Sequence, residues 1–161
     1  PAAVVTVHDR FQGELVQDVA ASVGDFVLKR GDGVYAYQLA VVVDDLAMQI
    51  GEVVRAVDLL GSAPRQVLLA RLLGGEPPSF AHLPLVVAHD GTRLAKRARG
   101  VPIRDRREAG QSAAELVGEL ARLLGLLPAD DQRPVTPREL VARFDPDKLA
   151  GRREVRLPAD A

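Results

Sequence analysis

The sequence predicts an α/β domain followed by a small helical extension. Three observations carry this. Valine-rich segments of strand length alternate with helix-length segments up to about residue 110. Glycine and proline clusters punctuate them. Beyond that point two capping boxes and a leucine stripe mark helices alone.

Taken in order, Ala3 to Val7 is a short strand by its valines. His8 to Gln12 reads as a turn, with Gly13 as punctuation. Asp25 to Arg30 is expected to be a second strand, with Phe26 and Leu28 on one side and Val27 and Lys29 on the other. The turn Gly31-Asp32-Gly33 follows it. Tyr35 to Met48 stays open: Val41, Val42 and Val43 favour a strand, whereas its length and the set Tyr37, Ala40, Val41 suit a buried helix. Glu52 to Arg55 is a short strand. Ser62 to Leu73 is a helix, with Ser62 as cap, Pro64 in the first turn and Val67, Leu68 and Leu72 as its buried stripe. Gly74-Gly75 ends it, and Pro77-Pro78 prevents it resuming. His82 to Val87 is the next strand, and His89-Asp90-Gly91 its turn.

Residues 92–110 read as basic and irregular. Gln111 to Leu127 is an amphipathic helix, opened by the capping box Ser112/Glu115 and striped by Leu116, Leu120, Leu123 and Leu124. Thr136-Pro137-Arg138-Glu139 is a second capping box, opening a helix that ends near Phe144. The last dozen residues lack periodicity and are expected to fray.

Composition narrows the classes. The 161 residues fit one domain, or a domain with an appendage. No apolar run approaches the roughly 18–20 residues of a membrane helix, and no signal-peptide pattern opens the sequence. Without cysteine there is no disulfide and no thiolate metal site, which fits the cytoplasm. A formal charge of −1 gives no bulk attraction to nucleic acid, so local clusters matter. All but three of the 21 basic residues are arginine, which we read as a coding bias. The sequence opens on Pro1 rather than Met, and the expectation is a piece of something longer.

Two groups of residues point to chemistry. Arg93-Leu94-Ala95-Lys96-Arg97 follows the turn Asp90-Gly91-Thr92. A lysine in a loop after a sheet strand can swing onto a triphosphate and neutralise charge as pyrophosphate leaves. Seven basic residues and one acid lie between Arg93 and Arg107. The competing reading is a solvated charged loop. The second group is Tyr37 with Arg55: a guanidinium can hold the carboxylate of an amino acid, and a hydroxyl can sit near its amine. Either could instead be structural. Asp44-Asp45 lacks a third ligand at a supporting spacing and reads as helix or turn polarity. His8, His82 and His89 form neither a metal spacing nor a triad, and His82 reads as a packed or hydrogen-bonded core residue. There is no Walker loop and no dinucleotide glycine motif.

Five segments in order carry a resemblance. They are D-F-V-L-K-R at 25–30, A-Y-Q-L-A-V-V-V-D-D at 36–45, V-V-R-A-V-D-L-L-G-S-A-P-R-Q at 53–66, H-L-P-L-V at 82–86 and R-L-A-K-R at 93–97. Together they resemble the class I glutamyl-tRNA synthetase group. Within it they are most similar to the glutamyl-Q tRNA(Asp) synthetase branch, through the opening at Tyr37 and Asp58-Leu59-Leu60. The resemblance spans about residues 5–150. It implies the second half of a class I synthetase Rossmann-type catalytic domain followed by a small helical extension. Residues 1–24 would be the end of an inserted acceptor-type subdomain, 25–110 the catalytic half with a KMSKS-like loop at 93–97, and 111–161 the helical extension. It also implies that 36–47 is largely helix.

The resemblance further implies roles. Lys96 matches the second lysine of the KMSKS loop, an ATP contact and the catalytic lysine, with Arg93 and Leu94 beside it on ATP. Tyr37 and Arg55 match two glutamate-binding positions. Arg93 and Ala95 replace the usual lysine and serine, and Ala56 and Val57 follow Arg55 where glycine usually comes next. The implied reaction joins glutamate and ATP, with Mg, into glutamyl-adenylate and pyrophosphate. The glutamyl group then passes to the queuosine base of tRNA-Asp. The HIGH motif, further glutamate contacts and a zinc site belong to an N-terminal half missing here, so the isolated chain is expected to be inactive. When complete, the enzyme would be a cytoplasmic monomer with no membrane partner. Two alternatives stay open: a fragment of a glutamyl-tRNA synthetase that aminoacylates tRNA, and a non-catalytic binding module that kept the fold.

Overall fold

The computed structural model describes residues 3–94 and 102–158, which fall into two compact units divided between Leu83 and Pro84. In the first, strand β1 (Val4–Asp9) turns back into β2 (Gly13–Asp18). They pair antiparallel from Val4↔Asp18 to Asp9↔Gly13. Gly13, at φ 75°, takes the left-handed conformation that closes the hairpin. The Asp18 side chain then caps a single helical turn, α1 (Val19–Ser22), by accepting from Ala21 N.

Helix α2 (Tyr37–Ala47) settles the open segment. Its valines sort as a helix sorts them: Val42 buried, Val41 half-buried and Val43 exposed. It ends at Gln49, which holds φ 56° while Ile50 N donates to Asp45 O. Strand β3 (Glu52–Ala56) matches the sequence reading and leads through a 3-10 turn, Val57–Ser62, into helix α3 (Ala63–Leu72). Strand β4 (Ser79–Leu83) completes the sheet, ordered β2-β1-β4-β3, with β4 parallel to both neighbours.

One core cluster joins Val5 and Val7 of β1 to Val19, Ala63, Val67 and Phe80. Burying each of the two strand valines contributes on the order of 1.5–3 kcal/mol. A second cluster, Val42 with Leu69 and Ala70, packs α2 on α3, with Leu46 and Phe26 against it.

The second unit opens with β5 (Leu85–Val87). Three helices follow: α4 (Ile103–Glu108), α5 (Ala113–Leu123) and α6 (Pro137–Val141). Both predicted capping boxes form, Ser112 with Glu115 and Thr136 with Glu139. A 3-10 turn, Pro146–Leu149, leads to β6 (Glu154–Arg156), which pairs parallel with β5 from Leu85↔Glu154 to Val87↔Arg156. Ala121, Leu127 and Val135 form the helical core.

Several local expectations are corrected. Asp25–Arg30 is not a strand: it makes one isolated bridge, Lys29↔Tyr35, and Val27 is 61% exposed while Phe26 packs inward. Ser62 does not cap α3 with its side chain; the preceding 3-10 turn already delivers helical backbone, and its hydroxyl accepts from Gln38 instead. The strand expected over His82–Val87 is two strands, because Pro84 supplies no N–H and the halves pair with different partners. The basic stretch contains α4. Helix α5 stops at Leu123, where Gly125 at φ 75° and the Leu126 N–H to Ala121 O form a left-handed cap. α6 ends at Val141, short of Phe144. The C-terminal segment does not fray through its length, since Leu149 and Val155 are buried and β6 is paired.

Candidate functional site

The carboxyl ends of three parallel strands bring the polar groups of the first unit together. β1 ends on Asp9, β3 carries Arg55 next to its end, and β4 carries His82 next to its end. Arg55 and His82 are paired in register. This is the edge at which parallel sheets hold ligands.

Tyr37 begins α2, and its phenol lies near enough to the Arg55 guanidinium to interact with it electrostatically. The two residues singled out for an amino-acid substrate, 18 positions apart in the sequence, therefore meet. Tyr37 is 51% exposed and Arg55 half-buried, so the pair lies where a ligand can reach it. Arg55 is held from behind. Its Nε donates to His82 Nε2 at 3.0 Å, one Nη2 hydrogen goes to Leu59 O at 3.3 Å, and its guanidinium lies 5.2 Å from the Phe80 ring centroid. A guanidinium has five N–H donors, so others remain for Tyr37 and for a carboxylate.

His82 is fully buried. Its Nδ1 lies 2.5 Å from Asp9 Oδ2, its ring stacks on Phe80, and its carbonyl accepts from Gln12 Nε2 at 3.0 Å. Asp9 is fixed in turn by backbone donors: Phe11 N at 3.0 Å, Gln12 N at 2.9 Å and His82 N at 3.1 Å.

The electrostatics follow from this packing. Burial pulls the Arg55 pKa down, opposed by Tyr37, Asp45 and Asp9. Burial pushes the Asp45 carboxyl up; Arg55 opposes it and Asp44 adds to it. Burial would also raise Asp9, but the His82 ring and the backbone donors outweigh it and hold its carboxyl below the ordinary value. A cation backed by acids and faced by a phenol suits an amino acid's carboxylate and amine.

The sequence singled out Tyr37 and Arg55 but not Asp9, and left His82 as a core residue. Both belong to this constellation. Neighbouring residues carry no signal for either: Asp9 falls in the stretch that reads as a turn, and only strand pairing sets His82 beside both Asp9 and Arg55. Asp45, read as helix polarity, acts on Arg55 through its charge.

Arg93 and Leu94 belong to the second unit. A tight turn precedes them: Asp90 accepts from Thr92 N at 2.9 Å and from Thr92 Oγ1 at 2.6 Å, Ala88 N donates to Thr92 O, and Arg93 bridges back to Val87. Arg93 is exposed and Leu94 half-buried. Lys96 lies outside the described residues. Among the described residues, no group of three or more His, Cys, Asp or Glu side chains is placed to hold a metal ion, and no helix is long and apolar enough to cross a membrane.

Comparison with known proteins matches residues 2–155 to the family described as tRNA synthetases class I (E and Q), catalytic domain. The chain is 51% identical, over 85% of its length, to a glutamyl-Q tRNA(Asp) synthetase from Symbiobacterium thermophilum, and covers 42% of that protein. It is 48% identical, over 92% of its length, to one from Nocardia farcinica, and covers 47% of it. The chain thus spans less than half the length of these curated relatives. Among solved structures it is similar to a glutamate-tRNA synthetase from Elizabethkingia anophelis, with a TM-score of 0.77, 27% identity, and coverage of 99% of this chain and 35% of that one.

Proposed function

Because the chain belongs to the catalytic-domain family of class I tRNA synthetases for glutamate and glutamine, we propose that it supplies the glutamate-holding half of an enzyme that activates glutamate with ATP and transfers it to the queuosine base of tRNA-Asp. The observation that carries this is the meeting of Tyr37 and Arg55 at the carboxyl ends of the strands. The names of the curated relatives support the choice of acceptor.

In this reading a glutamate carboxylate oxygen attacks the α-phosphorus of ATP, and the bond to pyrophosphate breaks. The queuosine base then takes the glutamyl group and AMP leaves. The protein's task is placement and charge stabilisation rather than covalent catalysis. Arg55 holds a substrate carboxylate and Tyr37 fixes the amino acid. Lys96, with Arg93 and Leu94 beside it, stabilises the departing pyrophosphate. Because β1 shares the sheet with β4, the catalytic half takes in part of residues 1–24, the expected end of an acceptor-type subdomain, as well as 25–110, and 111–161 is a helical extension. Mg accompanies ATP, zinc belongs to a portion of the enzyme other than this one, and the complete enzyme acts as a cytoplasmic monomer.

The test uses the full protein that carries this chain. Glutamate-dependent ATP–pyrophosphate exchange, with labelled glutamate recovered in the queuosine nucleoside of tRNA-Asp, supports the proposal. Label on the 3′ end of tRNA-Glu would instead identify an aminoacylating synthetase. Binding of tRNA without exchange would identify a non-catalytic module.

A further inference from the structure

Asp9 and His82 have no part in the reaction as described, yet they are costly residues to bury. Both side chains are wholly inaccessible to solvent. An ion and a polar ring in a core are worth keeping only when every donor and acceptor is used, and an apolar pair of the same volume would fold at least as well. Here they are fully used, and the hydrogen bonds run in one direction.

The direction is set by Arg55. Its Nε carries a hydrogen and can only donate, so His82 Nε2, 3.0 Å away, must accept. The ring proton therefore sits on Nδ1 and points at Asp9 Oδ2. Asp9 cannot swing away, because the backbone of Phe11, Gln12 and His82 holds its oxygens. The β1–β2 turn thus fixes a carboxylate, the carboxylate fixes a ring tautomer, and the ring fixes one edge of a guanidinium. A free arginine side chain has on the order of 2 kcal/mol of rotamer entropy to lose when it takes up a ligand. Arg55 has surrendered part of it before the ligand arrives.

We propose that Asp9 and His82 are a positioning pair for Arg55, holding its guanidinium in the orientation that receives the substrate carboxylate. This rests on the reading of Arg55 given under Proposed function and adds two residues to it. Neither touches the substrate.

The experiment is glutamate-dependent ATP–pyrophosphate exchange by the full protein, with KM for glutamate and for ATP measured separately. His82→Phe keeps the ring volume and removes both nitrogens, whereas His82→Gln can place an oxygen near the Nε2 position to accept from Arg55. The expected result for His82→Phe is a glutamate KM raised about tenfold or more with the ATP KM within about twofold, and for His82→Gln recovery of most of that loss. An unchanged glutamate KM in His82→Phe, equal rises for both substrates, or no recovery by Gln overturns the pair's role. Arg55→Ala in the same assay separates the two readings: if it leaves the glutamate KM unaltered, the assignment of Arg55 itself has failed. Should the His82 variants not fold, histidine ¹⁵N NMR of the wild-type protein decides. A proton on Nδ1 with an Nε2 resonance that moves in Arg55→Lys supports the pair, and a proton on Nε2 rules it out.

Discussion

Arg55 and His82 stand opposite each other in β3 and β4, one residue short of the end of each strand, with Arg55 Nε donating to His82 Nε2 at 3.0 Å. Parallel register puts both side chains on one face of the sheet. The Tyr37 phenol, from the first turn of α2, interacts electrostatically with the same guanidinium. A strand pair and a helix start therefore assemble a polar cluster that no single stretch of sequence contains.

Removing that cation should weaken glutamate selectively. In the full protein, Arg55→Ala is expected to raise the glutamate KM roughly ten- to a hundredfold, the cost of about 1.5–3 kcal/mol for a lost charge-assisted hydrogen bond. Arg55→Lys should recover only part, because an ammonium cannot bond His82 and a carboxylate in the same fork geometry. Initial rates across a glutamate series check both.

Lys96→Ala tests the other proposed substrate contact. Single-turnover adenylation should slow about a hundredfold, as for loss of one electrostatic contact to a transition state. Glutamate affinity, read by equilibrium binding, should scarcely move. An unaltered adenylation rate would remove Lys96 from the reaction.

Asp9 makes a prediction about acid. Its folded pKa lies below the ordinary 3.8, so the folded state takes up that proton less readily than the unfolded chain. Its stabilising contribution is complete above about pH 3.8 and is lost as the pH falls through the lower folded value. Asp9→Asn should cost about 1–3 kcal/mol at neutral pH and less at pH values below the folded pKa. Urea denaturation of both proteins at neutral and acid pH measures the difference.

The parts of the fold written in local chemistry were legible. Both capping boxes, the glycine stop after α3 and the strand at Glu52 follow from neighbours in sequence. What failed depended on distant partners. Asp25–Arg30 has strand composition but no neighbouring strand beyond one bridge, and Glu154–Arg156 has weak composition but finds β5. The site divides the same way. Tyr37 and Arg55 were legible through resemblance, whereas Asp9 and His82 gain meaning only once β1 and β4 lie side by side. A buried histidine in sequence is indistinguishable from a packing residue until its two nitrogens have partners.

The turn after α3 sits against Leu46 of α2 only because Gly75 has no side chain. A Cβ on Gly75 would overlap the Leu46 side chain. Gly75→Ala should destabilise the protein by about 1–3 kcal/mol through overpacking. Adding Leu46→Ala should recover part of that loss, a favourable coupling that a double-mutant cycle in denaturant would reveal.

Ser112 offers a smaller, cleaner measurement. It accepts from Glu115 N while Glu115 reaches back to Ser112 N at 2.7 Å. Ser112→Ala should cost about 1 kcal/mol, visible as a lowered unfolding midpoint with an unchanged denaturant slope.

The pairing of β5 with β6 has a consequence for how the second unit is threaded. Its opening strand lies beside its closing one, so the polypeptide enters and exits through a shared doorway only three residues deep. Among the described residues, three helices lie between the two strands, and the pair closes the loop that carries them. Clipping the chain ahead of Glu154 would leave β5 without its companion and the loop without a clasp.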